Sequence, residues 1–333
     1  MYAHAQAPVR IGLAGGGTDL PVWTREHVGR CLSLAVSSYA HAVAITRPDG
    51  QVVASYRQLD SASSATEIAN GLIRESALLH DWEVGFEVHT LSEISSRGSG
   101  LGVSSSIAVA LAACFQRMAD LRAGHPGGEV RWRDGGEGAF RAGVARDAWR
   151  VEIDRLRRPV GRQDHMAAAY GGLRLYSFSG DSAEIERTFS ADDAAWVAKH
   201  LLLVALPDGH DARAILARVT NCEMLSAALG AVPVALQAIE QRNAGLLGQA
   251  LIMGQKSKYA IPGASPPWLE RILETISECY GVLGCKVAGA GGGGHVVVVT
   301  DGNNAAQEIS AATNLSVTSV APDLAGVRSD ACR

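Results

Sequence analysis

At 333 residues the chain exceeds what one ordinary hydrophobic core supports, so two domains are expected. Apolar residues make up 47% and charged residues only 19%, which suits packed interiors and excludes a disordered polyelectrolyte. The formal net charge of −4 excludes a general attraction to nucleic acid or anionic membrane, so any phosphate chemistry must come from local features.

Cys31, Cys114, Cys222, Cys279, Cys285 and Cys332 form no C-x-x-C pair, and no histidine pair completes a zinc pattern. They read as free thiols packed like small hydrophobes. The N-terminus lacks a basic segment followed by an apolar run, and no stretch approaches the ~20 apolar residues that span a bilayer. A reduced, cytoplasmic protein is expected.

In chain order, Ala7–Ala14 reads as a short strand stopped by Gly15-Gly16-Gly17. Cys31–Tyr39 and His41–Thr46 read as two paired strands closed by Pro48-Asp49-Gly50. In Glu83–Thr90 the alternation of Val84, Phe86 and Val88 marks a half-buried strand. A glycine loop follows, and then Ile107, Leu111, Cys114, Phe115 and Met118 recur at helical spacing. Residues 122–138 read as a polar, glycine-rich excursion, and a helix runs from about Ala139 to Leu156, stopped by Pro159. A domain boundary is placed near the strand Leu173–Phe178, dividing the chain into 1–174 and 175–333. The second half reads as strand Leu201–Leu206, helices around Ala212–Leu229 and Val234–Met253, and an amphipathic helix Trp268–Tyr280. Cys285–Ala290, the glycines Gly291–Gly294 and the apolar strand His295–Thr300 close it. Strands and helices alternate in both halves, as in a two-domain α/β or α+β enzyme.

The loop Arg97–Ser106 feeds directly into a helix, whose first turn offers unpaired N–H groups and a partial positive charge to an anion. Ser104, Ser105 and Ser106 add hydroxyls that could cap the helix, bind phosphate or ligate Mg²⁺. No lysine follows the glycines, so it is not a P-loop, and no acidic residue stands where a dinucleotide fold requires one. Alone, the loop is either a helix cap or a phosphate cradle.

Three further segments accompany it: Pro8-Val9-Arg10-Ile11 through Gly15-Gly16-Gly17-Thr18-Asp19, Gly161-Arg162-Gln163-Asp164 through Gly171-Gly172, and Gly289-Ala290-Gly291-Gly292-Gly293-Gly294. In this order the four resemble the GHMP kinases, over about residues 7 to 300. The first motif and the G-x-Q-D segment are similar to the heptose 7-phosphate kinase branch, with the L-fucose kinases as near relatives. The resemblance implies an α+β two-domain GHMP kinase fold, with an N-terminal ribosomal-protein-S5-domain-2-like domain and a C-terminal ferredoxin-like α/β domain. It implies ATP and Mg²⁺ as cofactors and a sugar phosphate as small-molecule partner, without nucleic acid or membrane; a homodimer is compatible with it.

By the same resemblance, Asp164 matches the catalytic aspartate that accepts or orients the substrate hydroxyl proton, and Arg10 the basic residue that stabilises transferred charge. Gly98, Ser99, Gly100, Leu101 and Gly102, with Ser104, Ser105 and Ser106, would cradle the nucleotide phosphates. Ser104 and Glu152 match the residues expected around Mg²⁺. Gly16, Gly17, Thr18 and Asp19 match the segment facing sugar hydroxyls, and Gly291–Gly294, Gly292 and Gly293 among them, would approach the substrate and γ-phosphate. Arg213 and Lys256 match basic positions of the heptose kinases, with Lys258 a further candidate for a phosphate. The implied reaction moves the γ-phosphate of ATP to the anomeric hydroxyl of a heptose 7-phosphate, giving the 1,7-bisphosphate. An L-fucose-type free-sugar 1-kinase and a non-catalytic binding protein on the same fold are the alternatives; an ATP-dependent decarboxylase would need an isoprenoid acid, against the sugar-type first motif.

Each residue also has a plainer reading. Asp164 could be a helix cap, Glu152 a surface ion pair among Arg150, Arg155, Arg157 and Arg158, and Arg10 a solvated strand residue. Asp19 could be a turn residue, and Gly291–Gly294 a tight turn. Val103 stands where many members have a serine, removing one hydroxyl from the loop, and His295 replaces a usual aromatic residue as packing.

Overall fold

The computed structural model describes residues 1–95, 98–124, 136–207, 212–302 and 304–332. The strands of the first half are β1 (Tyr2–Ala14), β2 (Gly29–Thr46), β3 (Val52–Ser55), β4 (Leu59–Ala62), β5 (Phe86–Ser92), β6 (Leu173–Ser179) and β7 (Ser182–Thr188). Those that follow are β8 (Leu201–Ala205), β9 (Val282–Val287), β10 (His295–Thr300), β11 (Val317–Ser319) and β12 (Arg328–Cys332). They form an eight-stranded sheet in the order β12-β1-β2-β5-β3-β4, with β6 on β2 and β7 on β6, and a four-stranded sheet β11-β8-β10-β9. Among the described strands only β3 and β5 pair in parallel.

Residues 31–46 lie in one strand rather than the expected two. No glycine, proline, asparagine or aspartate lies between Cys31 and Thr46 to turn the chain. β1 instead runs along the whole of one edge of β2, while β5 and β6 share the other edge. The first sheet also continues beyond residue 174 through β6 and β7, and the last strand, β12, returns to pair with β1.

A register shift between Pro8 and Val9 decides the fate of Arg10. Before it, Ala3, Ala5 and Ala7 of β1 face a core shared with the helix Val103–Arg122; after it, Val9, Ile11 and Leu13 face a second core. The bulge exchanges the two faces of the strand. Arg10 therefore comes out on the first core's side, against the helix Gln163–Tyr170. The first core is alanine-rich where helix and sheet meet, with Ala108, Ala110, Ala112 and Ala113 buried, so the two backbones approach closely.

The helices Glu223–Glu240 and Ala244–Tyr259 lie between the two sheets, and Pro267–Glu278 and Ala305–Thr313 cover the far face of the second. The break between the first pair falls later than the spacing predicts. Pro233 sits inside the first helix, and the chain turns at Arg242, which has φ 50°, before Asn243 caps Leu246. Glu223–Glu240 is the one described helix long and apolar enough to cross a membrane; here its Ala231, Ala235 and Ala238 are buried between the sheets. The described cysteines form no disulfide.

Candidate active site

A cleft of about 970 Å³ opens between the glycine loop, the Gly15–Leu20 turn and the last turn of the helix Ala244–Tyr259. The bulged strand β1 and the helix Gln163–Tyr170 bring Arg10 and Asp164 together in it. Arg10 Nε donates to Asp164 Oδ1 at 2.7 Å and its Nη2 to Oδ2 at 2.8 Å, a bidentate fork. Arg10 Nη1 donates to the Gly100 carbonyl at 2.6 Å, which ties the pair to the loop. Arg10 is buried, not solvated, whereas the Asp164 side chain keeps 23% exposure into the cleft. Asp164 lies in the first turn of its helix, where the unpaired N–H groups favour a carboxylate.

Asp19 supports this arrangement. Its Oδ2 accepts from the Gln163 backbone N–H at 2.9 Å and its Oδ1 from Gln163 Nε2 at 2.8 Å, so it caps from a distance the helix that carries Asp164. Gly161 must be glycine here, because a Cβ would stand 1.8 Å from Asp19 Oδ2. Burial pushes the Asp19 carboxyl above its usual range, against the opposing Gln163 bond. Asp19, Gly16 and Gly17 line the cleft. Thr18 does not: its hydroxyl is buried and donates to the Gly15 carbonyl at 2.8 Å, holding the turn together.

The helix that begins at Gly136 ends in a π-helical turn, Arg150–Arg155, which places Glu152 in the interior at 1% exposure. Glu152 is no surface ion pair. Its Oε1 accepts from Ser104 Oγ at 2.7 Å and from Arg158 Nη1 at 2.5 Å; its Oε2 accepts from Ser105 Oγ at 2.7 Å and bonds His165 Nε2 at 2.9 Å. Arg157, with φ 52°, turns the chain so that Arg158 can fold back onto this carboxylate. Burial works to raise the Glu152 pKa, but His165, Arg158 and Ser105 outweigh it and hold the carboxyl well below the usual range.

Hydroxyl and carboxylate oxygens are the hard donors Mg²⁺ prefers. As arranged, however, Ser104 and Glu152 do not fit a metal. Arg158 Nη1 also reaches Ser104 Oγ at 3.1 Å, so one guanidinium holds both expected ligands. Among the described residues no group of three His, Cys, Asp or Glu side chains could hold a metal ion.

In the glycine loop, Gly98, Gly100 and Gly102 all have positive φ, and Gly102 precedes the first turn of the helix Val103–Arg122. Gly98, Ser99, Gly100, Gly102, Ser104 and Ser105 line the cleft. Leu101 is buried, with its carbonyl accepting from the Arg10 N–H at 3.0 Å. Ser106 is also buried and donates to the Pro8 carbonyl at 2.8 Å, at the bulge. Arg97 lies outside the described residues, as do residues 125–135 of the expected excursion.

The second glycine run packs against the loop. Gly289 and Ala290 reach the cleft, but Gly292 and Gly293 are buried and are not part of its lining. A Cβ on Gly294 would stand 2.0 Å from the Gly98 carbonyl oxygen, and one on Gly100 would stand 2.7 Å from that of Ala288. The two glycine motifs pack backbone against backbone, and His295 Nδ1 adds a bond to the Ser99 carbonyl at 2.8 Å.

Of the basic candidates, Arg213 is exposed at the cleft. Lys256 is exposed and not part of the lining, because the helix turns it outward; Lys258, two residues on, points in. Lys286 of β9 also lines the cleft. Sequence reasoning missed Lys286, took Arg158 only as one of several surface partners of Glu152 and gave Gln163 no role of its own; a lysine inside the apolar strand ahead of the glycine run was the available signal for the first.

Residues 235–315 match the family described as GHMP kinases C terminal. The chain is 28% identical over 213 residues to the D-glycero-alpha-D-manno-heptose 7-phosphate kinase of Campylobacter jejuni. That match covers 60% of this chain and 56% of the relative, so it spans little more than half the relative's length. A solved D-glycero-D-manno-heptose 1-phosphate kinase from Bacteriodes thetaiotaomicron is similar with TM-score 0.76 at 18% identity, with 98% of each chain covered. A galactokinase from Lactococcus lactis, solved with galactose, is similar with TM-score 0.71 at 15% identity, over 98% of this chain and 95% of that one. At these identities the solved structures speak to fold. The chain carries a GHMP kinase C-terminal domain within the two-domain α+β fold of the GHMP kinases.

Proposed function

We propose that the protein is an ATP-dependent sugar kinase that phosphorylates the anomeric hydroxyl of a heptose 7-phosphate. The observation that carries this reading is the Arg10–Asp164 fork, tied at one end to the glycine loop and supported at the other by the turn holding Asp19. Phosphoryl transfer is chiefly a matter of in-line positioning and charge stabilisation. The loop N–H groups and the start of the helix Val103–Arg122 receive the nucleotide phosphates. Asp164, whose oxygens each keep a lone pair beyond the Arg10 bonds, accepts the proton of the acceptor hydroxyl. That oxygen forms the new bond to the γ-phosphorus as the bond to the leaving ADP oxygen breaks, and Arg10 offsets the charge that spreads between them. ATP would be used as its magnesium complex; for the ion to use Ser104 and Glu152, Arg158 must leave them, and no step here depends on it. The heptose 7-phosphate assignment draws on the named Campylobacter relative and on the first motif.

A coupled ADP-release assay over heptose 7-phosphate, free heptose, L-fucose and galactose tests the reading. Turnover of heptose 7-phosphate is expected; turnover of L-fucose in its place would move the protein to the free-sugar kinases. Asp164→Asn is expected to lower kcat roughly a thousandfold with folding intact. An unchanged rate in that variant would refute the role given to Asp164.

A further inference from the structure

The cleft holds more buried positive charge than the transfer chemistry uses. Lys258, in the last turn of the helix Ala244–Tyr259, is 9% exposed, and Lys286 in β9 is 7% exposed; both line the cleft. Among the described residues each bonds only backbone: Lys258 Nζ donates to the Gly289 carbonyl, and Lys286 Nζ to that of Leu13 at 3.1 Å. Among the described residues no carboxylate lies within ion-pair distance of either. The neighbouring carboxylates are already engaged, Asp164 by Arg10 and Asp19 by Gln163.

A lysine that merely covers apolar surface extends its ammonium to water, as Lys256 does from the same helix. These two do the opposite. Burial lowers the pKa of Lys258 to about 8 and that of Lys286 to about 7, with Lys258 and Arg10 adding repulsion at Lys286. Two buried lysine amines that line one cleft, with no carboxylate partner among the described residues, are placed to meet an anion that enters it. A phosphate monoester is a dianion near neutral pH, carried on three acceptor oxygens. We propose that Lys258 Nζ and Lys286 Nζ form a subsite for the phosphate monoester of the acceptor sugar. The inference rests on the sugar-kinase reading and adds to it the groups that recognise a phosphorylated acceptor.

The same charges could instead meet the phosphate in transfer, and the experiment separates the two sources. Lys258→Met and Lys286→Met are compared with the unaltered protein on heptose 7-phosphate and on free heptose, with ATP saturating. The expected result is a rise in KM for heptose 7-phosphate of at least about tenfold and an equal loss of preference over free heptose. An unchanged KM, or an equal fall in kcat on both acceptors, would overturn the proposal, the latter by placing the lysines at the transferred phosphate. In parallel, inorganic phosphate is titrated by calorimetry into protein saturated with ADP, with one binding event expected that both substitutions abolish. This arm reports on the subsite even if no sugar is turned over, in which case the kinase reading fails and the subsite stands or falls on the titration. Thermal unfolding checks each variant's fold, and Lys286→Arg, which keeps the charge, is expected to retain the phosphate event; its loss there with the fold intact counts against the proposal.

Discussion

At the residue scale, Glu152 shows how far a side chain's surroundings can depart from its sequence neighbourhood. Among arginines on a helix it reads as a solvated ion pair, yet it is buried with Ser104, Ser105, Arg158 and His165. Removing one of these partners leaves a buried carboxylate oxygen with one hydrogen bond fewer, at a cost of about 1–3 kcal/mol. His165→Leu should therefore lower stability by roughly that amount in urea unfolding. The pH dependence follows from the lowered carboxyl pKa. A depressed folded-state pKa contributes stability above the ordinary value of 4.5 and loses it as pH falls through the folded one. Glu152→Gln should accordingly flatten the fall in stability below pH 4.5, measured as unfolding free energy against pH. An unaltered slope would mean that Glu152 is not held ionised in the folded state.

At the scale of elements, the two glycine motifs work as one unit. The loop after β5 can take its shape because the run before β10 has no side chains in the way. Gly100→Ala would force a φ of 76° on an alanine and drive its Cβ to 2.7 Å from the Ala288 oxygen. Gly294→Ala would do the same to the Gly98 carbonyl from outside the cleft, at φ 88° and 2.0 Å. Both should destabilise the protein by at least ~2 kcal/mol. Gly294→Ala should also weaken ADP binding by about tenfold, although Gly294 does not face the cleft. Fluorescence titration with ADP measures this, and full affinity in a folded Gly294→Ala variant would show that the loop holds its shape unaided.

At the scale of the whole molecule, the end of the chain completes the sheet its beginning starts. β12 pairs with Tyr2–Gln6 of β1, Arg117 of the helix Val103–Arg122 donates to Ser329 Oγ at 2.8 Å, and Arg328 bonds the buried Asp323 at 2.6 Å. Deleting the residues from 328 onward should expose the edge of β1 and lower the unfolding midpoint by several degrees. Because that edge leads to the bulge at Pro8, the deletion should also reduce turnover; loss of stability with full activity would separate the edge from the site.

Local chemistry made much of the protein legible. The order of strand, glycine loop and helix at residues 86–122 follows from alternation, glycine and helical spacing, each of which acts over a few residues. Arg10, the loop, Asp19 and Asp164 were singled out by the resemblance; that Arg10 forks onto Asp164 and that Asp19 holds Gln163 came from the folded chain. What tertiary structure alone decided lies in contacts between distant segments. The bulge at Pro8 sets which face Arg10 occupies, and no periodicity in β1 announces it. Thr18, Leu101 and Ser106 turned inward to satisfy buried backbone groups, as buried polar atoms must. The second glycine run packs on the first, a steric relation between segments about 190 residues apart that no local pattern encodes. Lys258 and Lys286 likewise became a pair only when a helix and a strand were laid against each other. Residue type and spacing determined the kind of chemistry available; the folded chain decided which groups face the cleft and which only hold it in shape.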